Sequence, residues 1–175
     1  KEQFYNFKKT LDGYTMSLVP MIDVETSDGK PVKELQDSLN VFIKLIKDEY
    51  GCPPMIYGTQ RSYNTYCAPA YNNYHLYVGR YGPDAPVIKG TGTYSIWQYT
   101  ENAIVKGIPK PVDMCRFNPK YTLRDIKRIV SGIDLSHHNQ VEDWGKISAD
   151  FVYLKATEGA TWTDPKFNTY LKCAK

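Results

Sequence analysis

The chain has 175 residues, with 22 basic and 19 acidic side chains spread along it and a formal charge of +3; this is length for one well-buried core and too little for two. So mild and dispersed a positive balance excludes the clustered basic face of a nucleic-acid partner. No apolar run approaches the roughly 20 residues of a membrane span. The opening Lys1-Glu-Gln-Phe4 carries no signal-peptide pattern, so the sequence reads as a processed or excised soluble domain.

Taken in chain order, the first element is a helix carrying Phe4, Phe7 and Leu11 on one face and ending before Gly13. A buried strand follows over residues 18–25. Residues 32–50 place Leu35, Leu39, Phe42, Ile43 and Ile46 at three- and four-residue spacing, which predicts an amphipathic helix stopped by Gly51-Cys-Pro-Pro54. Further strands are expected over 54–59, 76–81, 95–99, 112–117, 132–136 and 151–157, with a Gly- and Pro-rich loop over 82–93. Most of these strands are apolar on both faces, and they alternate with helical patterns. That order predicts an α/β protein with a parallel sheet. The four cysteines, Cys52, Cys67, Cys115 and Cys173, lack the close pairing of a zinc or redox site, so free buried thiols are expected.

Asp23 and Glu25 lie two apart at the end of the first strand and therefore share a face. Two carboxylates so placed repel, which raises the pKa of one and can keep it protonated as a general acid, the group a glycosidase needs. The plainer reading of the same pair is a solvated strand end or a cation site. Asp134 and Asp113 are acidic residues at comparable strand positions, where carboxylates from different strands converge at the rim of a barrel; Asp134 read alone is an N-cap or loop hydrogen-bonder. His137 and His138 are adjacent, point to opposite sides of an extended chain and have no partner at ligand spacing, so no metal is expected. A polar contact to substrate, or a hydrogen bond that orients Asp134, suits them better. Aromatic residues make up 14% of the chain and include 15 tyrosines, whose flat face and hydroxyl together suit sugar rings. Tyr57, Tyr81, Trp97, Tyr99 and Trp162 at or past strand ends are the candidate stacking faces, set against ordinary packing for any single one.

These segments together resemble glycoside hydrolase family 25, the Chalaropsis-type lysozymes or N-acetylmuramidases. The resemblance is carried by Gly132-Ile-Asp-Leu-Ser-His-His138, Asp143-Trp144, Phe151-Val-Tyr-Leu-Lys-Ala-Thr-Glu-Gly159 and Asp164-Pro-Lys-Phe167, and by Met21-Ile-Asp-Val-Glu25, Ile56-Tyr57, Leu76-Tyr-Val-Gly-Arg-Tyr81, Ile96-Trp-Gln-Tyr99 and Val112-Asp113. It implies an irregular TIM-like (β/α) barrel of the type (β/α)5(β)3. It also implies cleavage of the β-1,4 bond between N-acetylmuramic acid and N-acetylglucosamine in bacterial peptidoglycan, without metal or cofactor, outside the cell or in its envelope. On that resemblance Glu25 is the general acid, Asp23 its tuning neighbour, and Asp134 and Asp113 the flanking carboxylates. Tyr57, Tyr81, Trp97, Tyr99, His138 and Glu158 are then the substrate-binding residues.

The order of the segments departs from the family's. Residues 1–128 match the C-terminal part of the family domain and 131–175 its N-terminal part, and a third strand of the type Gly-Ala-Tyr-His-Phe is absent from between them. A single permuted domain over 1–175, a window across two tandem copies, and a segment order that is not the natural one all fit. In the permuted reading, residues 127–130 form the joining turn, and the open strand edge invites a strand-swapped partner chain. The alternative function is a non-catalytic peptidoglycan-binding module on the same barrel; a chitinase-like glycosidase would carry an Asp where this chain has Met21.

Overall fold

A helix whose apolar residues recur every three or four positions has one face to bury, and α2 (Val32–Tyr50) buries Leu39, Ile43 and Ile46 there. It spans the residues its periodicity marks. It ends where Gly51 turns left-handed at φ 69° and donates its N–H to the Lys47 carbonyl. The structure, a computed structural model, describes residues 1–128 and 131–174. They divide into two compact units, Lys1–Arg128 and Ile129–Lys175.

The first unit is built on a five-stranded sheet of β1 (Met21–Asp23), β2 (Met55–Thr59), β3 (Leu76–Gly79), β4 (Ile96–Ala103) and β5 (Val112–Phe117), ordered in space as in the chain. The pairings β1–β2, β2–β3 and β3–β4 are parallel; β4–β5 is antiparallel. Parallel neighbours need a crossover, and α2 and α3 (Gln60–Tyr66) supply the first two. α3 starts at once after β2 because the Thr59 hydroxyl accepts the Ser62 N–H at 3.1 Å, capping the helix. The N-terminal α1 (Glu2–Thr10) buries Phe4, whose ring meets Phe42 edge-on at 6.2 Å.

Side chains alternate across a strand, so each strand serves two faces. Ile22, Val24, Ile56, Leu76 and Val78 point to the helices and form the main core with Leu39, Ile43, Tyr63 and Cys67. The opposite face has only a small apolar cluster of Met55, Ile96 and Ile126 with Val19, Tyr77 and Phe117. The remainder of that face is polar, and it carries the site described below.

In the second unit β6 (Gly132–Leu135) pairs in parallel with β7 (Phe151–Leu154), β8 (Thr157–Glu158) forms a hairpin with β9 (Trp162–Thr163), and α4 (Phe167–Cys173) follows. A Cβ at Gly132 would run into the Phe151 ring, which lies on the bare glycine. Among the described residues of this unit only Asp164 and Tyr170 are buried, and the Tyr170 hydroxyl donates to the Asn139 carbonyl at 2.7 Å.

Several expectations change. The first strand is shorter than 18–25, with Leu18 making an isolated antiparallel bridge to Lys127 instead. β4 runs on to Ala103 through two register shifts because its partner β5 is antiparallel, and the middle of β5 is exposed rather than apolar on both faces. The helices α3 and α4 carry no long apolar stripe and were not expected. All four cysteines are free, but only Cys67 is buried; Cys115 and Cys173 are exposed. The joining turn expected over 127–130 lies partly outside the described residues. What the structure establishes is a mixed α/β fold with a largely parallel sheet.

Candidate active site

β1 ends where its backbone turns polar, and the Val24 N–H still donates to the Tyr57 carbonyl at 2.9 Å before the chain leaves the sheet at Glu25. The register opposes Asp23 to Tyr57, Tyr57 to Tyr77, Gly79 to Gln98 and Gln98 to Cys115. This row crosses all five strands on the face away from the helices. Beside β1 a groove of about 530 Å³ opens between α1 and α2, lined in part by Asp23, Glu25, Thr26, Asp28 and Phe42.

The electrostatics bind the row together. Burial, and then the Glu25 charge, push the Asp23 carboxyl above its ordinary range. Tyr57 is pushed well up by burial first, then by the charges of Glu25, Tyr81 and Asp23, and its hydroxyl donates to Gln98 Oε1 at 2.8 Å. Tyr81, 50% exposed at the end of β3, is raised by burial and then by Glu101, Asp113 and Glu25. Tyr77 is raised chiefly by burial, and it also feels the neighbouring Cys115, Tyr57 and Asp113. Thus Asp23, Glu25, Tyr57, Tyr81 and Asp113, from β1, β2, the end of β3 and β5, are linked electrostatically. The upward push expected on one member of the Asp23–Glu25 pair falls on Asp23.

Trp97 and Tyr99 sit on the other face of β4. Trp97 is 2% exposed, its Nε1 donates to the Arg80 carbonyl at 2.6 Å, and the Arg116 guanidinium covers its ring at 4.2 Å. Tyr99 packs edge-on against Trp97 at 6.1 Å.

In the second unit Asp134 is exposed on β6, paired with Tyr153. His137 does not orient it. The His137 ring and backbone N–H engage the buried Asp164 at 3.0 and 2.8 Å, while His138 stacks beside His137 with ring centroids 3.8 Å apart. Burial works to raise Asp164, but N–H donors from His137 and Lys166 and the His137 ring outweigh it and hold the carboxyl below its ordinary value. Glu158 pairs with Lys155 at 2.6 Å, which lowers its pKa, and the Lys155 ammonium lies 5.5 Å above Trp162.

Sequence reasoning passed over Gln98, Tyr77 and Asp164. For Gln98 a signal existed, since it is the polar residue in the middle of the apolar strand Ile96-Trp-Gln-Tyr99, and a buried amide demands a partner. Among the described residues no three His, Cys, Asp or Glu side chains gather as a metal site, and no helix is long and apolar enough to cross a membrane. Chemically, two adjoining carboxyl groups, one of them pushed above its ordinary range and both flanked by phenols and a further carboxylate, form an arrangement for proton transfer to a polar, uncharged ligand.

The family model for glycosyl hydrolases family 25 matches residues 1–108. A curated Escherichia coli K12 protein, called uncharacterized protein YegX, is 29% identical over 127 residues, which are 73% of this chain and 46% of that protein. The chain thus spans about half the length of the curated relatives it matches. Among solved structures, a family 25 glycosyl hydrolase from Bacillus anthracis is 26% identical with a TM-score of 0.58, covering 67% of this chain and 58% of that one. A bacterial lysozyme from Streptomyces coelicolor, 23% identical with a TM-score of 0.54, covers 66% of this chain and 59% of its own, and shares the fold.

Proposed function

Because this chain belongs to the glycosyl hydrolases of family 25, we propose that it hydrolyses bacterial peptidoglycan at the β-1,4 bond between N-acetylmuramic acid and N-acetylglucosamine, with Glu25 as the general acid. The observation that carries this reading is the Asp23–Glu25 pair at the end of β1, where burial and the Glu25 charge push the Asp23 carboxyl above its ordinary range. In this reading Glu25 is the carboxyl that gives its proton to the glycosidic oxygen as the bond to the anomeric carbon breaks. The oxocarbenium-like centre is then met by an enzyme carboxylate, for which Asp113 and Asp134 are the candidates, or by the substrate's own acetamido oxygen, and water completes hydrolysis. Tyr57 and Tyr81 adjoin the pair and are proposed to contact sugar rings. Trp97, Tyr99, His138 and Glu158 are proposed as further substrate contacts on the resemblance alone.

A second reading exchanges the roles within the pair. It is favoured by one observation, that the raised carboxyl is Asp23. Release of reducing ends from purified peptidoglycan by the unsubstituted chain, Glu25→Gln and Asp23→Asn separates the two. Loss of the alkaline limb with Glu25→Gln supports Glu25; a fully active Glu25→Gln with an inactive Asp23→Asn supports Asp23. Wall binding without reducing-end release from any of the three leaves a peptidoglycan-binding module.

The architectural part of the proposal is one (β/α) barrel domain over residues 1–175 in permuted order, working outside the cell or in its envelope, where peptidoglycan lies. Met21, 47% exposed on β1, marks an outer edge that a strand from a partner chain would cover. Light scattering distinguishes a monomer from a swapped dimer, and peptide mapping of the intact chain settles segment order.

A further inference from the structure

A strand turns successive side chains to opposite faces, so at the end of β3 Arg80 and Tyr81 leave the backbone in opposite directions. Arg80 goes with Val78 to the helix side, where it reaches Gln60 on α3. Tyr81 goes with Gly79 to the side on which Tyr57 meets Gln98. The backbone that carries the two is held at three points: the Arg80 N–H donates to the Gln98 carbonyl at 3.0 Å, the Gly82 N–H donates to the Tyr99 carbonyl at 3.1 Å, and the Arg80 carbonyl accepts Trp97 Nε1 at 2.6 Å. The Arg80 guanidinium then closes a clamp. Its Nη1 donates to the Ala85 carbonyl at 3.2 Å and to Gln60 Oε1 at 3.4 Å, and its Nη2 pairs with Asp84 at 3.2 Å. Gln60 Oε1 also accepts the Val87 N–H at 2.8 Å. One turn further along α3, Asn64 donates to the Val87 carbonyl and accepts the Lys89 N–H, both at 2.8 Å. Pro86 and Ile88 are buried and Val87 between them is exposed. The Gly- and Pro-rich loop is thus a strap laid along α3, and Arg80 ties the strand end to both.

We propose that Arg80 is a positioning residue for substrate binding: clamped to α3 and the strap, it fixes the strand end that carries Tyr81 and so holds the exposed Tyr81 ring as a preformed contact for a sugar ring. This rests on the reading of the chain as a glycan hydrolase with Tyr81 in contact with its substrate. A half-exposed ring on a loose strand end would have to be ordered each time a glycan bound, and that ordering would consume part of the contact it makes. Arginine suits the task because its planar fork reaches three acceptors on two segments at once, whereas an ammonium group is a point charge. The Asp84 carboxylate is 76% exposed and adds little, so the clamp is carried by the uncharged Gln60 and Ala85 acceptors. After burial, the charges of Glu101, Asp113 and Glu25 act on the Tyr81 hydroxyl; a ring held there faces the candidate active site.

The test measures two things for the unsubstituted chain, Arg80→Gln, Arg80→Lys, Tyr81→Ala and the double variant Arg80→Gln with Tyr81→Ala. One is kcat and KM for release of reducing ends from soluble glycan strands of peptidoglycan. The other is the mobility of the Tyr81 ring by NMR relaxation of labelled tyrosine, its signal assigned by its loss in Tyr81→Ala. Arg80→Gln is expected to raise KM on the order of fivefold, the size of one aromatic contact, while kcat holds and the Tyr81 ring gains mobility. Arg80→Lys falls between the two, because it recovers only part of the fork. Tyr81→Ala raises KM at least as much, and adding Arg80→Gln to it changes nothing further. A residue that only stabilises the fold does not give a KM effect that vanishes with one side chain. An unchanged KM in Arg80→Gln overturns the proposal, as does a KM rise that persists in the Tyr81→Ala background, or a Tyr81 ring whose mobility is unaltered. If the unsubstituted chain releases no reducing ends, the hydrolytic reading fails, and the ring mobility in Arg80→Gln still decides whether Arg80 holds Tyr81. Should Arg80→Gln lose its fold by circular dichroism, Gln60→Ala, which removes the acceptor shared by Arg80 and Val87, carries the same prediction.

Discussion

Gly58 on β2 lies where the helix-facing side of the sheet leaves no space for a side chain, and Gly58→Ala is a precise way to displace Glu25 without touching it. A Cβ at this position would stand 2.8 Å from the Val24 carbonyl oxygen and 3.0 Å from Ser62 Oγ. Ordinary contact begins at 3.4 Å, so the Val24 peptide must retreat by about 0.6 Å. That carbonyl belongs to the peptide leading into Glu25, and the N–H of the same residue, Val24, makes a hydrogen bond that ties β1 to the Tyr57 carbonyl. Overpacking of this kind costs about 1–3 kcal/mol, offset by about 0.4–1 kcal/mol from the stiffer unfolded chain, for a net loss of about 1–2 kcal/mol. Misplacing a catalytic group by about 1 Å costs on the order of 100-fold in rate, so roughly tenfold is expected for this smaller shift. Stability is read by urea titration of Trp97 fluorescence in a Trp144→Phe, Trp162→Phe background, and rate by reducing-end release in the same background. An unchanged urea midpoint together with an unchanged rate refutes the reasoning, because it means that the strand end is soft enough to take the methyl group without cost.

Asp23→Asn tests the repulsion within the pair: a carboxyl raised in the folded chain binds a proton more tightly there than when unfolded, so stability falls as pH rises from the ordinary aspartate range through its raised value. The Asn variant is expected to melt higher than the unsubstituted chain at pH 7 and to lose that advantage at pH 3. Asp164 has the opposite sign: its lowered carboxyl contributes stability that is complete above the ordinary aspartate value of 3.8 and is lost as pH falls through its folded value. Amide exchange at His137 and Lys166, followed by NMR down a pH series, is expected to quicken below about pH 4, and Asp164→Asn is expected to remove the transition. Thiol labelling should modify Cys115 and Cys173 quickly and Cys67 only on unfolding, since burial pushes the Cys67 thiol up to about 12; rapid labelling of all four in the folded chain contradicts the core assignment.

The local periodicities were legible from the residues alone. The stripe Leu35, Leu39, Phe42, Ile43 and Ile46 can be satisfied only by a helix, and α2 forms over it. Asp23 and Glu25 share a face because a strand repeats every two residues, and the joint pattern of segments pointed to the family before any tertiary contact was known. Less could be read where local signals are short. α3 is a seven-residue helix of polar residues held by the Thr59 cap and buried Tyr63, and neither reason is a periodicity. The antiparallel turn of β5 depends on which edge of β4 is open.

The remaining features were decided by register. The hydrogen bond between Tyr57 and Gln98 joins residues 41 apart in sequence, and it exists because β3 places Gly79, with no side chain, between them. His137 is taken by Asp164, 27 positions away, rather than by nearby Asp134. Composition and spacing name the residues able to donate or hold a proton. Which of them meet depends on how strands distant in sequence align, since a shift of one residue would turn each side chain to the opposite face.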